Sequence, residues 1–167
     1  FVDIVQSEMD NDSARFVHYG LTSSDVVDTA QCLTLVKATD ILLTEVQKLD
    51  AALLKQANQY RNAIMVGRTH GIHAEPTTFG TKVALWLLQL HRDEVRLKDA
   101  REAIRVGKLS GAVGTYSNIE PEVETRVCKS LGLEPVSATQ VIARDRHAQL
   151  LYALTALGTT IEQVALE

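Results

Sequence analysis

Two histidines, an arginine and a glutamate crowd into GRTHGIHAEP, Gly67 to Pro76. His70 and His73 are side chains that can exchange a proton near neutral pH, because an unperturbed imidazole titrates at about 6.5. Gly67 and Gly71 let the backbone turn sharply or approach a ligand closely, and Pro76 suits the first turn of a following helix. The competing description is a polar connection between two helices. A metal reading would join His70, His73, Glu75 and His18, since His-x-x-His beside an acid has ligand chemistry. No second pair stands at structural-zinc spacing, so no metal is expected.

Three further polar stretches carry candidate chemistry. In FVHYGLTSSD, Phe16 to Asp25, the hydroxyls of Thr22, Ser23 and Ser24 before Asp25 form a helix-start signal, because a hydroxyl accepts the orphan amide protons of a first turn. Those amides, with the positive end of the helix dipole, also attract anions, and His18 lies just upstream. A plain cap beside a partly buried histidine uses the same residues. GKLSGAVGTYSN, Gly107 to Asn118, has glycines at 107, 111 and 114. Such a turn lets amides reach a carboxylate or phosphate, though tight helix packing would also employ it. No Lys-Ser/Thr pair closes it, so it is not a nucleotide P-loop. VSATQVIARDRHAQ, Val136 to Gln149, offers Gln140, Arg144, Asp145, Arg146 and His147.

These stretches need rigid elements to hold them. From Asp25 to about Gln59 there is no Pro or Gly, and Cys32, Leu35, Thr39, Leu42, Val46, Leu49 and Leu53 recur at gaps of three and four. That is the seam of a bundle helix, on the order of 50 Å long at 1.5 Å per residue, and it implies an elongated bundle. Ile64-Met65-Val66 reads as one strand of a small hairpin. A second helix is expected from Thr77 to about Val106, with Phe79, Val83, Trp86, Leu90, Leu97 and Ile104 inward. Arg92, Asp93, Glu94, Arg96, Lys98 and Asp99 are assigned to its solvated or subunit-facing side, and His91, one step off the stripe, is structural or solvated. Pro121 opens a shorter helix, Glu120 to about Ser130, ending at Leu131-Gly132. A last helix carries Leu150, Leu154, Leu157, Ile161 and Val164. Residues 1 to 9 read as the tail of a helix, followed by the polar break Asp10 to Ser13.

The 167 residues are enough for one sizeable core, and 46% hydrophobic content with three prolines points to an all-α protein. A net charge of −4 without a basic run disfavours a nucleic-acid surface. No stretch approaches the roughly 18 uncharged apolar residues of a membrane span, and no signal peptide is recognisable. Cys32 and Cys128 read as reduced thiols of a cytoplasmic protein rather than a disulfide framework. The chain opens on Phe1 and closes at Glu167 inside a periodic apolar segment, so an internal piece of a longer protein is expected.

HYGLTSSDVVDTA (His18 to Ala30), GRTHGIHAEPTTFGTK (Gly67 to Lys82), KLSGAVGTY (Lys108 to Tyr116) and ATQVIARDRHAQ (Ala138 to Gln149) together resemble the adenylosuccinate lyases, a purine-synthesis family of the fumarase/aspartase superfamily. The resemblance covers essentially the whole chain, with four blocks in the right order and spacing. It implies a long-helix bundle of the fumarase/aspartase type with a small β-hairpin and Gly-rich loops. It also implies a homotetramer whose active sites are shared between subunits, and no metal or organic cofactor. Residues 1–22 would end an N-terminal helical domain, and 23–167 would begin the central helical bundle. The reaction implied is elimination of fumarate from adenylosuccinate and from the succinylated aminoimidazole carboxamide ribotide.

Carried over residue by residue, His70 matches the general acid and His18 a second active-site histidine. Thr22 and Ser23 match substrate-binding residues, Gln140 matches a substrate-contacting glutamine, and Ser24 and Thr69 are expected to bind substrate with them. The family's TRHD block would precede Phe1, and the loop bearing its serine base would follow Glu167, so no lyase activity is expected of these residues alone. The sequence admits two other readings. One is a sister lyase such as argininosuccinate lyase; the other is a non-catalytic helical scaffold, which fits the heptad stripes but leaves the clustered His, Gly and hydroxyl residues without a role.

Overall fold

The computed structural model describes every residue from Phe1 to Glu167. Its order is α1 (Val2–Ser7), a 3-10 turn (Asp12–Phe16), α2 (Ser23–Gln59), β1 (Ile64–Thr69), β2 (Ile72–Thr78), α3 (Phe79–Ile104), β3 (Val106–Gly107), α4 (Pro121–Leu131), β4 (Glu134–Pro135) and α5 (Asp145–Leu166). The expected all-α class stands, with two small sheets added. Two compact units divide the chain: Phe1–Lys37 with Ala103–Arg146, and Ala38–Glu102 with His147–Glu167.

In the first unit the core is built from Cys32, Val36, Ile104, Leu109, Cys128, Leu133 and Ile142, all buried. α4 starts with Pro121 at its first turn and stops at Gly132, whose left-handed φ of 71° lets its amide cap the carbonyls of Cys128 and Lys129. The chain then returns so that β4 pairs in parallel with β3, Val106 opposite Glu134. Gly107 sits in that contact with no room for a side chain, a Cβ there falling 2.8 Å from the Cys128 sulfur. The polar break expected at Asp10–Ser13 leads into the 3-10 turn, capped by the Asn11 side chain on the Ser13 amide at 2.9 Å.

In the second unit, Leu43, Val46 and Leu53 of α2, Val83, Leu87, Leu90, Leu97 and Ala100 of α3, and Leu150, Ala153 and Leu157 of α5 are buried. Arg101 of α3 grips Asp40 of α2 through two guanidinium nitrogens at 2.5 and 3.0 Å; this holds the Asp40 carboxyl below its ordinary range. His91 is exposed and pairs with Asp50, consistent with its assignment as structural.

Several details differ from the sequence expectation: on α2 Val36 and Leu43 are buried in place of Leu35 and Leu42, and on α3 Leu87 in place of Trp86. Asp93, assigned to the solvated side of α3, is 1% exposed. It accepts a hydrogen bond from the Thr160 hydroxyl and another from Arg96 at 2.7 Å, so a polar pair replaces an apolar contact between α3 and α5. On α5 the inward stripe is Leu150, Ala153, Leu157 and Thr160, while Ile161 is exposed, because the small residues at 153 and 160 allow closer approach. Finally, α3 begins at Phe79 rather than Thr77, and Pro76 is a strand residue opposite Val66. In a two-stranded sheet Pro76 can turn its missing N–H to the outer edge and lose no ladder bond.

Candidate functional site

The sequence GRTHGIHAEP forms most of a β-hairpin, and this hairpin is the polar connection between α2 and α3. β1 and β2 run antiparallel, and Thr69 pairs with Ile72, leaving His70 and Gly71 as a two-residue turn. Both have positive φ, 53° and 75°, the combination a type I′ turn demands of its central residues. Gly71 takes that conformation freely. His70 takes it against the steric preference of a side chain with a Cβ. The imidazole of His70 is exposed and makes no hydrogen bond within the chain. Thr69, His73 and Glu75 are exposed on the same hairpin, and a register shift at Gly67 sets two β2 residues, Ala74 and Glu75, against one on β1.

Only three non-glycine residues have left-handed backbone: His18, His70 and Tyr116, at 66°, 53° and 53°. Each lies in a different one of the polar stretches picked out from the sequence. Backbone strain of this kind, of order 1–3 kcal/mol per residue, persists where surrounding structure enforces it and clusters at functional sites.

At the start of α2 the structure corrects the expected cap. No hydroxyl of Thr22, Ser23 or Ser24 takes an amide proton of the first turn. Asp25, the third helical residue, reaches back instead, accepting the Thr22 N–H at 2.9 Å, while its own N–H goes to the Thr22 carbonyl at 3.0 Å. This is the carboxylate half of a capping box without the hydroxyl half. Its consequence is chemical: the three hydroxyls are left unengaged by the protein and available to a ligand at the positive end of a 37-residue helix.

Asp25 also ties this helix start to the Gly-rich loop. Its two oxygens accept from the Ser110 N–H at 3.3 Å, the Gly111 N–H at 3.1 Å and the Lys108 ammonium. Lys108, fully buried, gives a further proton to the Gly111 carbonyl at 3.0 Å. One turn on, Thr29 exchanges two hydrogen bonds with the Lys108 backbone, both 3.0 Å. On the far side of the loop, buried Glu124 accepts the Leu109 N–H and the Tyr116 hydroxyl, each at 2.7 Å. The Glu124 carboxylate beside it pushes the Tyr116 phenol up to about 12.

Between these anchors lies a hollow of about 320 Å³ lined by Gly20, Leu21, Ser110, Gly111, Thr115 and Asn118, with no charged side chain among the lining residues. The Ser110 hydroxyl is buried beside it without a hydrogen-bond partner. A second hollow of about 300 Å³ brings His18 and Ser23 together among Val2, Val5, Val17 and Val26. Gln140 lines neither hollow; it is exposed on the irregular segment before α5. His18, Thr22, Ser23, Ser24 and Gln140 belong to the first compact unit, Thr69 and His70 to the second.

Sequence reasoning missed Asp25, Asp28, Lys108 and Ser110. For Asp25 a signal was present, the Thr-x-x-Asp spacing of a capping box. Nothing in the local sequence marks Lys108 as buried, because its partner is 83 residues away.

The first unit thus joins the start of a long unbroken helix to a Gly-rich loop through Asp25, and the second carries His70 on its hairpin turn. The chain belongs to a lyase family whose model matches residues 3–167. Among curated relatives, it is 52% identical over 162 residues to an adenylosuccinate lyase of Synechocystis and 49% identical over 163 residues to that of Bacillus subtilis. Both alignments cover 96% of this chain but 38% of the relative, so the chain spans well under half the length of these proteins. The fold matches a fumarate lyase from Mesorhizobium with a TM-score of 0.91 at 28% identity, covering 99% of this chain and 40% of that one. It also matches a β-carboxy-cis,cis-muconate cycloisomerase from Acinetobacter calcoaceticus with a TM-score of 0.88 at 32% identity, covering 98% and 38%.

Proposed function

We propose that this chain is part of an adenylosuccinate lyase, cleaving adenylosuccinate to AMP and fumarate and acting likewise on the succinylated aminoimidazole carboxamide ribotide in purine biosynthesis. The observation that carries the substrate is the roughly 50% identity to two adenylosuccinate lyases over nearly the whole chain. In this reading residues 1–22 close an N-terminal helical domain and 23–167 open the central bundle. The working enzyme is a cytoplasmic homotetramer with active sites shared between subunits.

The chemistry explains the residue types. A base outside these residues removes a proton from the carbon next to one succinyl carboxylate; the electron pair passes into that carboxylate as an aci-carboxylate. It then returns to form the C=C bond of fumarate as the C–N bond breaks, and the nitrogen leaves with a proton from His70. A neutral amine leaves far more readily than its anion, and a positioned general acid is worth about 10² to 10⁴ in rate. His18 is the second active-site histidine. Thr22, Ser23 and Ser24, whose hydroxyls the protein leaves free, meet the succinyl carboxylates at the helix start, where the developing charge is stabilised by donors already in place. Thr69, next to His70, and Gln140 complete the substrate contacts.

The test is fumarate release by the whole enzyme from adenylosuccinate and, separately, from argininosuccinate. Release from the first alone supports the reading; release from the second alone replaces it with the sister lyase.

A further inference from the structure

Asp28 stands three residues after Asp25 on α2 and is likewise buried, 3% exposed. Its carboxylate points to a different segment. One oxygen accepts the Ile142 N–H at 2.8 Å, and the other accepts from the Arg144 guanidinium at 3.0 Å. Ile142 is itself fully buried. Past Val136, whose N–H bonds the Gly107 carbonyl at 3.0 Å, the residues from 137 to 144 form neither helix nor strand, so no ladder of backbone bonds fixes their path. Side-chain anchors must do so.

A second anchor lies on the other side of Gln140. Gly114, with φ of 80°, is pressed against the carbonyl of Ala138 and the α-carbon of Thr139, leaving no space for a Cβ. The segment is therefore gripped at 138–139 by the Gly-rich loop and at 142 and 144 by α2. Between the grips Gln140 is exposed, and its side-chain amide bonds to nothing in the chain. Held neighbours and a free amide are the arrangement of a side chain presented to something else.

We propose that Asp28 is the positioning residue for Gln140, setting the height of its amide over the substrate by holding the Ile142 amide and the Arg144 guanidinium. This rests on the proposed function, in which Gln140 touches the substrate. A carboxylate suits the task because it satisfies a buried N–H and a cation at once; an aliphatic residue would leave the Ile142 N–H buried and unpaired.

The experiment is a double-mutant cycle in the whole enzyme, Asp28→Ala and Gln140→Ala alone and together. It uses whichever succinylated amine the wild type cleaves, so the choice of substrate and the role of Asp28 are judged separately. Asp28→Ala is expected to lower kcat/KM about tenfold or more, yet to lower it less than about threefold when Gln140 is already alanine. Asp28→Asn, which keeps an acceptor for the Ile142 N–H, should restore most of the loss. Amide hydrogen exchange, which needs no substrate, should quicken over 138–144 in Asp28→Ala but not in α4. If Asp28→Ala does not fold, Arg144→Gln removes one arm at a half-exposed side chain and should show the same non-additivity at smaller size. Losses that multiply in the double variant, or unchanged exchange over 138–144, overturn the proposal.

Discussion

Lys108 donates a hydrogen bond to Asp25 with both side chains sealed from water. Burying two charges costs several kcal/mol per ion, and the mutual attraction repays it only when other hydrogen bonds complete the pair. Here they do: the Asp25 carboxylate also takes three backbone N–H groups, and Lys108 reaches the Gly111 carbonyl. The pair joins the start of α2 to the Gly-rich loop, so its worth is geometric as much as energetic. Lys108→Met should lower stability by about 3 kcal/mol, since removing one partner leaves a buried charge without its counter-ion. A urea midpoint unchanged from wild type would show that the pair contributes little.

The cysteines should be silent. Cys32 and Cys128 are free, and both are 0% exposed. Burial pushes both thiols up, Cys128 to about 11, and the carboxylates of Asp28 and Glu124 respectively add to the shift. Because the thiolate is the reactive form, an aromatic disulfide reagent at pH 8 should label neither in the native protein and both after denaturation. Rapid labelling of either in the folded state would contradict the packing of the first unit.

Alkaline pH should loosen the same unit. Tyr116 and Cys128 are neutral when protonated, and folding raises the first from 10 to about 12 and the second from 9 to about 11. A raised folded value stabilises below the unfolded one and is lost as pH climbs through the folded one. From these two groups stability is thus expected to be level between neutral pH and about pH 9 and to fall between pH 9 and 12. Tyr116→Phe should be less stable at neutral pH, since one oxygen of buried Glu124 loses its donor while the other keeps the Leu109 N–H, and should fall less steeply above pH 10. A wild-type profile flat to pH 12 would refute the Tyr116–Glu124 bond.

Gly80 tests the junction below the hairpin. Its amide bonds the Tyr60 carbonyl at 3.0 Å, and a Cβ there would stand 2.6 Å from the Ala57 carbonyl oxygen and the Arg61 α-carbon, all backbone. Gly80→Ala is expected to cost about 1–3 kcal/mol, as overpacking does where no side chain can yield. Gly71→Ala meets open space and should cost only the strain of its positive φ. Equal losses from the two would show that the hairpin base is looser than its geometry.

What the sequence disclosed followed from local physics. α2 was visible because 25–59 contains neither Pro nor Gly over a three-and-four repeat, and α4 because Pro121 and Gly132 bracket it. The hairpin was half hidden: His-Gly is not the usual Asn-Gly turn pair, and Pro76 resembled a helix start while serving as a strand residue. The parallel β3–β4 contact joins segments 28 residues apart and has no periodic signature. Candidate site residues stood out by type, at His18, Thr22, Ser23, His70 and Gln140. Their supports did not, because Asp25 and Asp28 act on partners 83 to 116 residues away.

In the proposed reaction His70, strained on its hairpin turn, supplies the proton to the departing nitrogen. His70→Asn is the sharpest probe, since Asn-Gly is the favoured pair for a type I′ turn; it removes the imidazole and keeps the hairpin. In the whole enzyme this variant should bind adenylosuccinate, equal or exceed wild type in thermal stability, and release fumarate about 10² to 10⁴ times more slowly. Turnover equal to wild type would rule out His70 as the acid and pass that role to His18 or His73.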